Sequence, residues 1–374
     1  MGRRRFLYHG KCDLHKTCWG RHDHYVFCSK DFRAYRMSSP SIVAWELTRA
    51  CTQACFHCRA SSLPNPETDE LTTQEGIFLL DELVRAGTKM VILSGGDPMI
   101  RQDLYELARH GSSLGLRMTM ATNGSLITQE TASRMLDAGI VRVSISIDGL
   151  TADIHDAFRG TPGSYASALQ ALTILSDAGV PFQINTTVAA MNVEQIEFFP
   201  SFVKGLGAVA WHVFFLVPTG RGKNLEAATV KQYHDILETF YRVYRDAEIE
   251  CKATCAPQFY RLLAQKGDDV TTKGCLAGTR FGFVSSRGVV QPCGFLQINC
   301  GSLRESSFTQ IWENSPILTS LRDSTALTGA CGTCRYTDVC GGCRARAYEI
   351  SGDIMAADPL CSYTQADRIH GQYR

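Results

Sequence analysis

Three cysteines on one short segment constrain this chain more than any other feature. Cys51, Cys55 and Cys58 lie in the run Cys-Thr-Gln-Ala-Cys-Phe-His-Cys, directly after an apolar stretch, residues 42–47, that is typical of a β-strand. Three thiolates on one loop can bind three irons of a four-iron four-sulfur cluster, which ordinarily takes four protein ligands. The spacing CxxxCxxC therefore predicts a cluster with one iron open to a small molecule. Zinc binding also fits these cysteines when they are taken alone.

Apolar strands alternate with amphipathic helices over residues 42–224. Thr72 and Thr128 are placed to cap the first and third helices. Six β/α units predict a parallel sheet rolled into a partial barrel, with functional residues at the carboxyl ends of its strands. The predicted strands are 42–47, 89–94, 117–121, 141–147, 183–188 and 211–217. The predicted helices are 73–85, 102–114, 128–137, 164–177 and 193–205.

Charge and cysteine content narrow the classes of partner. The chain has 38 Lys and Arg against 37 Asp and Glu, a net charge of +1, which gives no electrostatic basis for binding nucleic acid or a membrane surface. No apolar run approaches the ~20 residues of a membrane span. The 16 cysteines fall in ligand-like spacings, which predicts clusters rather than disulfides and a reducing, cytoplasmic location.

The cysteine loop and the run Ser94-Gly95-Gly96-Asp97-Pro98 together resemble the radical S-adenosylmethionine (radical SAM) superfamily. The glycine run is similar to the family's GGE motif, whose backbone meets the amino group of SAM, and Asp97 replaces the commoner Glu. The resemblance implies reductive cleavage of SAM to methionine and a 5′-deoxyadenosyl radical, with Cys51, Cys55 and Cys58 holding the cluster. It implies further cofactor contacts from Phe56 near the adenine, Gly95, Gly96 and Asp97 at the amino group, Ser146, Asp148, Asn185 and Thr187 at the ribose and methionine, and Arg159 at the carboxylate.

Some of these residues have a second interpretation. Ser146, Asp148 and Asn185 follow or end strands, where polar side chains commonly satisfy backbone groups instead of a ligand. Arg221, in the run Pro-Thr-Gly-Arg-Gly after the sixth predicted strand, can contact SAM or an anionic substrate, or pair with a neighbouring carboxylate. For isolated histidines such as His155 and His212, a structural role is more common than ligation of a haem iron.

A second group of cysteines begins near Cys251 and resembles the SPASM extension of radical SAM enzymes, which carries auxiliary iron-sulfur clusters. One departure is a gap of two residues, Gly341 and Gly342, where the family often has three. Cys255 is the first choice for the fourth ligand of one cluster, and Cys251, Cys300 and an open iron are the alternatives. Two further questions remain open: whether there are one or two auxiliary clusters, and whether the metal is instead structural zinc. The resemblance implies two ligand sets: Cys331, Cys334, Cys340 and Cys361 (the Cys331 set), and Cys255, Cys275, Cys293 and Cys343 (the Cys255 set).

The predicted organisation has four parts. Residues 1–36 are an extension without an assigned role, 37–225 the radical SAM partial barrel, 226–250 a connecting helix and 251–374 the SPASM-like domain. The extension contains cysteines and histidines whose irregular spacing does not define a metal site. These residues are Cys12, Cys18 and Cys28 with His15, His22 and His24.

Several runs between residues 40 and 365 resemble the SPASM subgroup of anaerobic haem biosynthesis, among them Trp45-Glu46-Leu47-Thr48-Arg49-Ala50-Cys51. This resemblance implies oxidative decarboxylation of the propionates of iron-coproporphyrin III to give haem b, with an external electron donor such as flavodoxin or ferredoxin. The alternatives are deacetylation or side-chain modification of another siroheme-derived tetrapyrrole, and a maturase that modifies a ribosomal peptide or a partner protein. A 36-residue extension is short for a peptide-binding domain. An electron-transfer scaffold without SAM chemistry would not need the glycine run.

Overall fold

The computed structural model describes residues 39–225, 228–270 and 272–363. Cys12, Cys18 and Cys28, and the extension that contains them, lie outside the described residues. In the part that is described, ten strands form one sheet, in the order β10-β9-β8-β1-β2-β3-β4-β5-β6-β7. The strands are β1 (Ile42–Glu46), β2 (Met90–Ser94), β3 (Arg117–Thr122), β4 (Ile140–Ser146), β5 (Phe182–Val188), β6 (Ala210–Phe215), β7 (Glu250–Thr254), β8 (Phe281–Val284), β9 (Val289–Gln291) and β10 (Gly301–Ser302).

Parallel pairing runs from β8 through β1 to β7, and β8, β9 and β10 pair antiparallel. The predicted partial barrel of parallel strands is therefore confirmed. In β1, Trp45 lies opposite Leu93 of β2 on one side and Val284 of β8 on the other. Because β8 belongs to the cysteine-rich region, that region and the barrel share one continuous sheet.

Helices lie between the strands and continue through the cysteine-rich region. The side chains of Thr72 and Thr128 form the capping boxes that the sequence predicts. The predicted helix 193–205 is divided into a 3₁₀ stretch, Val193–Phe198, and a short α-helix, because Pro200 lacks the N–H that a continuous helix requires. The helices are α1 (Thr73–Arg85), α2 (Leu104–Ser113), α3 (Gln129–Asp137), α4 (Ala152–Arg159), α5 (Ser164–Asp177), α6 (Phe199–Gly205), α7 (Val230–Asp246), α8 (Gln258–Lys266), α9 (Phe308–Asn314), α10 (Pro316–Arg322), α11 (Gly329–Gly332) and α12 (Arg344–Ser351).

The core lies between the sheet and the helices. Trp45 of β1 and Trp211 of β6 are completely buried, and the Trp211 ring stacks on Phe199 of α6 with ring centroids 5.4 Å apart. Because successive strand side chains alternate between faces, positions such as Ser146 and Thr187 face the other side of the sheet, where they line a cavity. The packed layer thus fixes the strand ends that carry the candidate site.

Helix α4 and strand β7 are not among the elements that the sequence predicts. Helix α4 follows β4 and carries His155 and Arg159. Strand β7 has the sequence Glu-Cys-Lys-Ala-Thr, whose two apolar residues are small and make the alternation weak, and it exists as a strand because it pairs in parallel with β6. The sheet therefore continues past residue 251, where the sequence predicts that the alternation stops. Among the described helices, none is both long enough and apolar enough to cross a membrane.

Candidate active site

A cavity of about 210 Å³ opens at the carboxyl ends of the parallel strands, which is the face where barrels place their functional residues. All three thiols of the CxxxCxxC segment face it. The residues that line the cavity include Cys51, Cys55, His57, Cys58, Ser62, Gly95, Gly96, Asn123, Ser146, Arg159, Thr187, Leu216, Val217 and Phe295. The structure thus brings the cysteine loop, the glycine motif and four later strand ends to one place.

The glycine motif holds the cysteine loop against the end of β2. The Gly96 N–H donates to the carbonyl oxygen of Thr48 at 2.8 Å, and the Asp97 N–H donates to that of Ala50 at 2.7 Å. A Cβ atom at Gly96 would lie 2.2 Å from the Ala50 carbonyl oxygen, and one at Gly95 would lie 2.4 Å from that of Thr48. Neither position has room for a side chain, so these glycines permit a close approach of two backbone segments.

The Asp97 side chain is completely buried and does not line the cavity. Its carboxylate accepts hydrogen bonds from the Thr122 hydroxyl at 2.7 Å and from the N–H groups of Met99 and Asn123 at 3.0 and 3.1 Å. These bonds fasten the glycine turn to the end of β3. The predicted contact of Asp97 with a cofactor stays a prediction, and it could be made only by the backbone.

Each sulfur of the cysteine loop accepts hydrogen bonds from nitrogen donors, an arrangement that is common around iron-sulfur clusters. Burial raises the pKa of Cys51 to about 11, so this thiol loses its proton only where a cation compensates the thiolate. The three hydrogen-bonded thiols therefore fit an iron-sulfur cluster, which would place an iron ion at each sulfur. The donors are the Gln53 N–H to Cys51 at 3.4 Å, the Arg159 guanidinium to Cys55 at 3.8 Å and the Ser62 N–H to Cys58 at 3.5 Å.

Arg159 and Asp148 form a buried ion pair beside the cysteine loop, with 2.7 Å between the guanidinium nitrogen and the carboxylate oxygen. The second carboxylate oxygen accepts the Thr187 N–H at 2.7 Å. Burial alone would raise the pKa of Asp148, but the charge of Arg159, the two neighbouring histidines and the hydrogen bond from Thr187 together outweigh burial and hold that pKa below its usual range. Asp148 does not line the cavity, whereas Arg159 does, and its Nε has no hydrogen-bond partner in the described part of the chain. The predicted carboxylate contact of Arg159 stays a prediction.

The side chain between the second and third cysteines that faces the cavity is His57, not Phe56. Phe56 is 56% exposed and lies against Gly160, outside the cavity. The His57 ring packs on Phe158 with centroids 4.4 Å apart, and burial lowers its pKa to about 4, so the ring is neutral. The sequence interpretation of Phe56 as the residue near the adenine therefore has no support from its position. The missed signal was that His57 directly precedes the third cysteine.

The remaining predicted positions divide into two groups. Ser146 and Thr187 line the cavity. Asn185 does not, because its side-chain oxygen accepts a hydrogen bond from Gln183 at 2.9 Å. Asn123 was not among the predicted site residues, yet it lines the cavity and its amide approaches the Cys51 sulfur at 3.7 Å. Its position after β3 was the available signal.

The two histidines considered as haem ligands have other partners. His155 is buried and its Nδ1 accepts the Asp148 N–H at 3.1 Å. His212 shares a hydrogen bond with Gln183 at 3.0 Å. Neither ring lines the cavity, and both therefore contribute to local structure where they stand.

Of the two roles that the sequence left open for Arg221, the structure does not support pairing with a carboxylate of the described residues, and the contact with SAM or an anionic substrate stays a prediction. Its guanidinium donates to the Cys55 carbonyl oxygen at 2.8 Å and to both the carbonyl oxygen and the hydroxyl of Ser62 at 3.0 Å. Its own N–H donates to the Cys58 carbonyl oxygen at 3.0 Å. Arg221 thus clasps the cysteine loop from the side opposite the glycine motif.

Replacing Arg221 with Gln is expected to lower the melting temperature and the iron content, and to reduce SAM cleavage about tenfold or more. The reason is that hydrogen bonds from a charged donor contribute roughly 1.5–3 kcal/mol each, and about 1.4 kcal/mol is a factor of ten in rate. Arg242→Gln is the matched control, since Arg242 forms an exposed ion pair with Glu197 and such pairs contribute about 0–1 kcal/mol. A raised KM with normal iron content would instead indicate that Arg221 binds a ligand.

In the C-terminal region too, the members of each cysteine set lie close together in space. The Cys331 set lines a small cavity with Gln258, Arg261 and Asp358. In the Cys255 set, burial and the neighbouring thiols Cys275 and Cys343 together raise the pKa of Cys293 to about 12. Cys255 follows β7 in a left-handed conformation (φ 60°), which is uncommon for residues other than glycine and clusters at functional sites.

Cys251 and Cys300, the alternative fourth ligands, lie apart from both sets. Cys251 is in β7 beside Glu250, and Cys300 lies near Ser315 and Arg322. No three His, Cys, Asp or Glu side chains in the described ranges are arranged around a single metal ion. The geometry favours Cys255 over Cys251 and Cys300 as the fourth member, and the ligand roles of both sets stay predictions.

Residues 45–199 match the radical SAM superfamily, and residues 275–343 match the SPASM iron-sulfur cluster-binding domain. The chain is 45% identical to the AdoMet-dependent heme synthase of Methanosarcina barkeri, over 87% of this chain and 97% of that protein. It is 32% identical to the mycofactocin maturase MftC of Mycobacterium tuberculosis, over 87% of this chain and 83% of that protein. The structure of Streptococcus suis SuiB bound to S-adenosylmethionine has a TM-score of 0.71, covering 87% of this chain and 78% of that chain at 18% identity, which shows a shared fold.

Proposed function

Because this chain belongs to the radical SAM superfamily and carries a SPASM iron-sulfur domain, we propose that it decarboxylates two propionates of iron-coproporphyrin III to give haem b. The observation that carries the proposal is the 45% identity with a heme synthase over nearly the whole of that protein. The more distant maturase relative, at 32% identity, makes a peptide the second candidate substrate.

When bound at the three thiols, the cluster and SAM supply a one-electron reduction that ends in removal of a hydrogen atom from a substrate carbon. Each propionate then loses one hydrogen atom, one carbon dioxide and one electron, and a vinyl group remains. The net change at each side chain is an oxidation. The chain must therefore hold the substrate at the cavity, keep water away from it and provide an exit for the electron.

The cavity of about 210 Å³ is smaller than the roughly 300–1,000 Å³ of typical ligand sites. A tetrapyrrole does not fit inside this cavity, so we expect the macrocycle to lie over the mouth. The apolar side chains of Leu216, Val217 and Phe295 form part of the wall. They suit an apolar macrocycle and help to exclude water from a reacting carbon.

An apolar cluster behind that wall indicates the direction in which the electron could leave the substrate. Val217 and Phe295 line the cavity, and they also pack in one cluster with Cys255, Cys293 and Cys343. The Cys255 set therefore adjoins the candidate site through the apolar side chains of Val217 and Phe295. We expect the electron to leave in this direction, and a reduced flavodoxin or ferredoxin to supply the electrons that cleave SAM.

The test is anaerobic turnover of the reconstituted full-length chain with iron-coproporphyrin III, SAM and a reductant, followed by mass spectrometry. The expected result is two successive losses of carbon dioxide and two hydrogens per porphyrin, with one 5′-deoxyadenosine formed for each. Porphyrin left unchanged while 5′-deoxyadenosine accumulates would overturn the haem-synthase proposal and leave the radical SAM assignment intact. Loss of an acetate side chain from a siroheme-derived substrate would overturn it equally, in favour of the deacetylase alternative.

A further inference from the structure

Helix α12 starts directly after Cys343, and its first turn carries two arginines that are almost completely buried. The exposed fractions are 5% for Arg344 and 1% for Arg346. Buried arginines are rare unless something in the interior requires their charge. Here each of the two lies beside a different cysteine set.

Arg344 lies beside the Cys331 set. One of its terminal nitrogens is 3.8 Å from the Cys331 sulfur, and the other donates to the carbonyl oxygens of Ile354 and Ala356 at 2.8 and 2.7 Å. These hydrogen bonds orient the guanidinium without neutralising it, because their acceptors are uncharged. The positive charge of Arg344 is therefore directed at a thiol.

Arg346 lies beside the Cys255 set. Its guanidinium donates to the Cys255 carbonyl oxygen at 2.8 Å and pairs with Asp358 at 2.9 Å. Arginine is not deprotonated in proteins, so this buried group stays charged beside the Cys255 set.

Asp358 faces both sets at once. Its carboxylate accepts the Cys343 N–H at 2.7 Å, and its own N–H donates to the Cys331 sulfur. The negative charge of Asp358 therefore acts on both sets and does not distinguish them. The two sets differ in their arginines: Arg344 and Arg261 lie beside the Cys331 set, and Arg346 lies beside the Cys255 set.

We propose that Arg344 and Arg346 set the reduction potentials of the two auxiliary clusters separately, Arg344 for the Cys331 set and Arg346 for the Cys255 set. Reduction adds one negative charge to a cluster, and a buried guanidinium beside it stabilises the reduced form. Removing either arginine makes the potential of its own cluster more negative. The inference rests on the proposed ligand sets and on no assumption about the substrate.

Raising the potential of its cluster is a role that fits the position of the Cys255 set. The Cys255 set adjoins the candidate active site through Val217 and Phe295. A cation beside this set makes the adjacent cluster a better acceptor for an electron released by a substrate. Arg346 is thus a positioning residue that acts through the cluster and does not touch the substrate.

The experiment is a redox titration followed by electron paramagnetic resonance, with the full chain in which Cys51, Cys55 and Cys58 are replaced by Ala so that only auxiliary signals remain. A Cys361→Ser variant identifies the signal that belongs to the Cys331 set. Arg346→Gln is expected to shift only the other signal, at least tenfold in the reduced-to-oxidised ratio at fixed potential, which is about 59 mV for one electron. Arg344→Gln is expected to shift only the Cys331-set signal, and Arg242→Gln neither. Arg346→Lys, which keeps the charge, is expected to have a potential close to that of the parent protein.

A paired variant covers the case in which Arg346→Gln alone loses iron because Asp358 is left unpaired. In Arg346→Gln with Asp358→Asn, both buried charges disappear, and the two potentials are expected to move in opposite directions: more negative for the Cys255 set and less negative for the Cys331 set. Equal shifts of both signals, or none, would overturn the inference. A single auxiliary signal in the parent protein would overturn the two-cluster assignment itself. Neither outcome depends on whether the porphyrin reaction succeeds.

Discussion

Replacing Cys55 with Ala is expected to abolish SAM cleavage, with no 5′-deoxyadenosine above background under reducing conditions. Cys55 is one of three thiols that face a single cavity, and each sulfur accepts a hydrogen bond from its own nitrogen donor. With only two protein ligands the cluster is no longer held, because a cluster of this kind needs three cysteine thiolates from this segment. Product analysis by chromatography, together with an iron and sulfide assay, measures both losses.

Cys251→Ala is the matched control for this variant. Cys251 is a partly exposed cysteine in β7, apart from all three thiol groups, so its removal is expected to leave SAM cleavage and iron content unchanged. SAM cleavage retained by Cys55→Ala would refute the cluster assignment at the CxxxCxxC segment. Iron lost from Cys251→Ala would show instead that Cys251 is the fourth auxiliary ligand.

Replacing Gly96 with Ala is expected to reduce SAM cleavage by about 100-fold, the size of effect that a displacement of about 1 Å has in an active site. The added Cβ would lie 2.2 Å from the Ala50 carbonyl oxygen and 2.6 Å from that of Arg49, both of them backbone atoms that cannot rotate away. The segment before Cys51 must therefore shift, and the first thiol of the loop shifts with it. Single-turnover formation of 5′-deoxyadenosine measures the effect.

Gly205→Ala is the control for the glycine substitution. Gly205 is the last residue of α6, and no atom lies within 4 Å of the position its Cβ would occupy. Alanine is favoured over glycine in a helix by up to about 1 kcal/mol, so this variant is expected to be at least as stable as the parent and fully active. Full activity of Gly96→Ala as well would mean that the loop tolerates the displacement, contrary to the close approach in the structure.

These expectations share one physical basis, which is that the cysteine loop has little regular structure of its own and is held by other segments. The glycine motif binds it from the end of β2, and Arg221 clasps it from the end of β6. The geometry of the loop therefore depends on groups other than the three thiols. Variants outside the thiols are therefore expected to affect iron content as much as turnover.

The sequence by itself determined the features that depend on neighbouring residues. The CxxxCxxC spacing, the alternation of strands and helices and the capping residues Thr72 and Thr128 are local patterns, and the fold class follows from them. The resemblance to the SPASM extension implied two sets of cysteines in the C-terminal region, and the structure brings the members of each set close together.

Only the tertiary structure decided where side chains point and which distant segments meet. It turned His57 into the cavity and Phe56 away from it, gave Arg221 partners in the cysteine loop instead of a carboxylate, and paired Arg159 with Asp148. It also formed β7 from a polar sequence by pairing that strand with β6, which brings Cys255 beside Cys343. These contacts join residues far apart in the chain, and no periodicity records them, because they depend on the packing of the whole sheet.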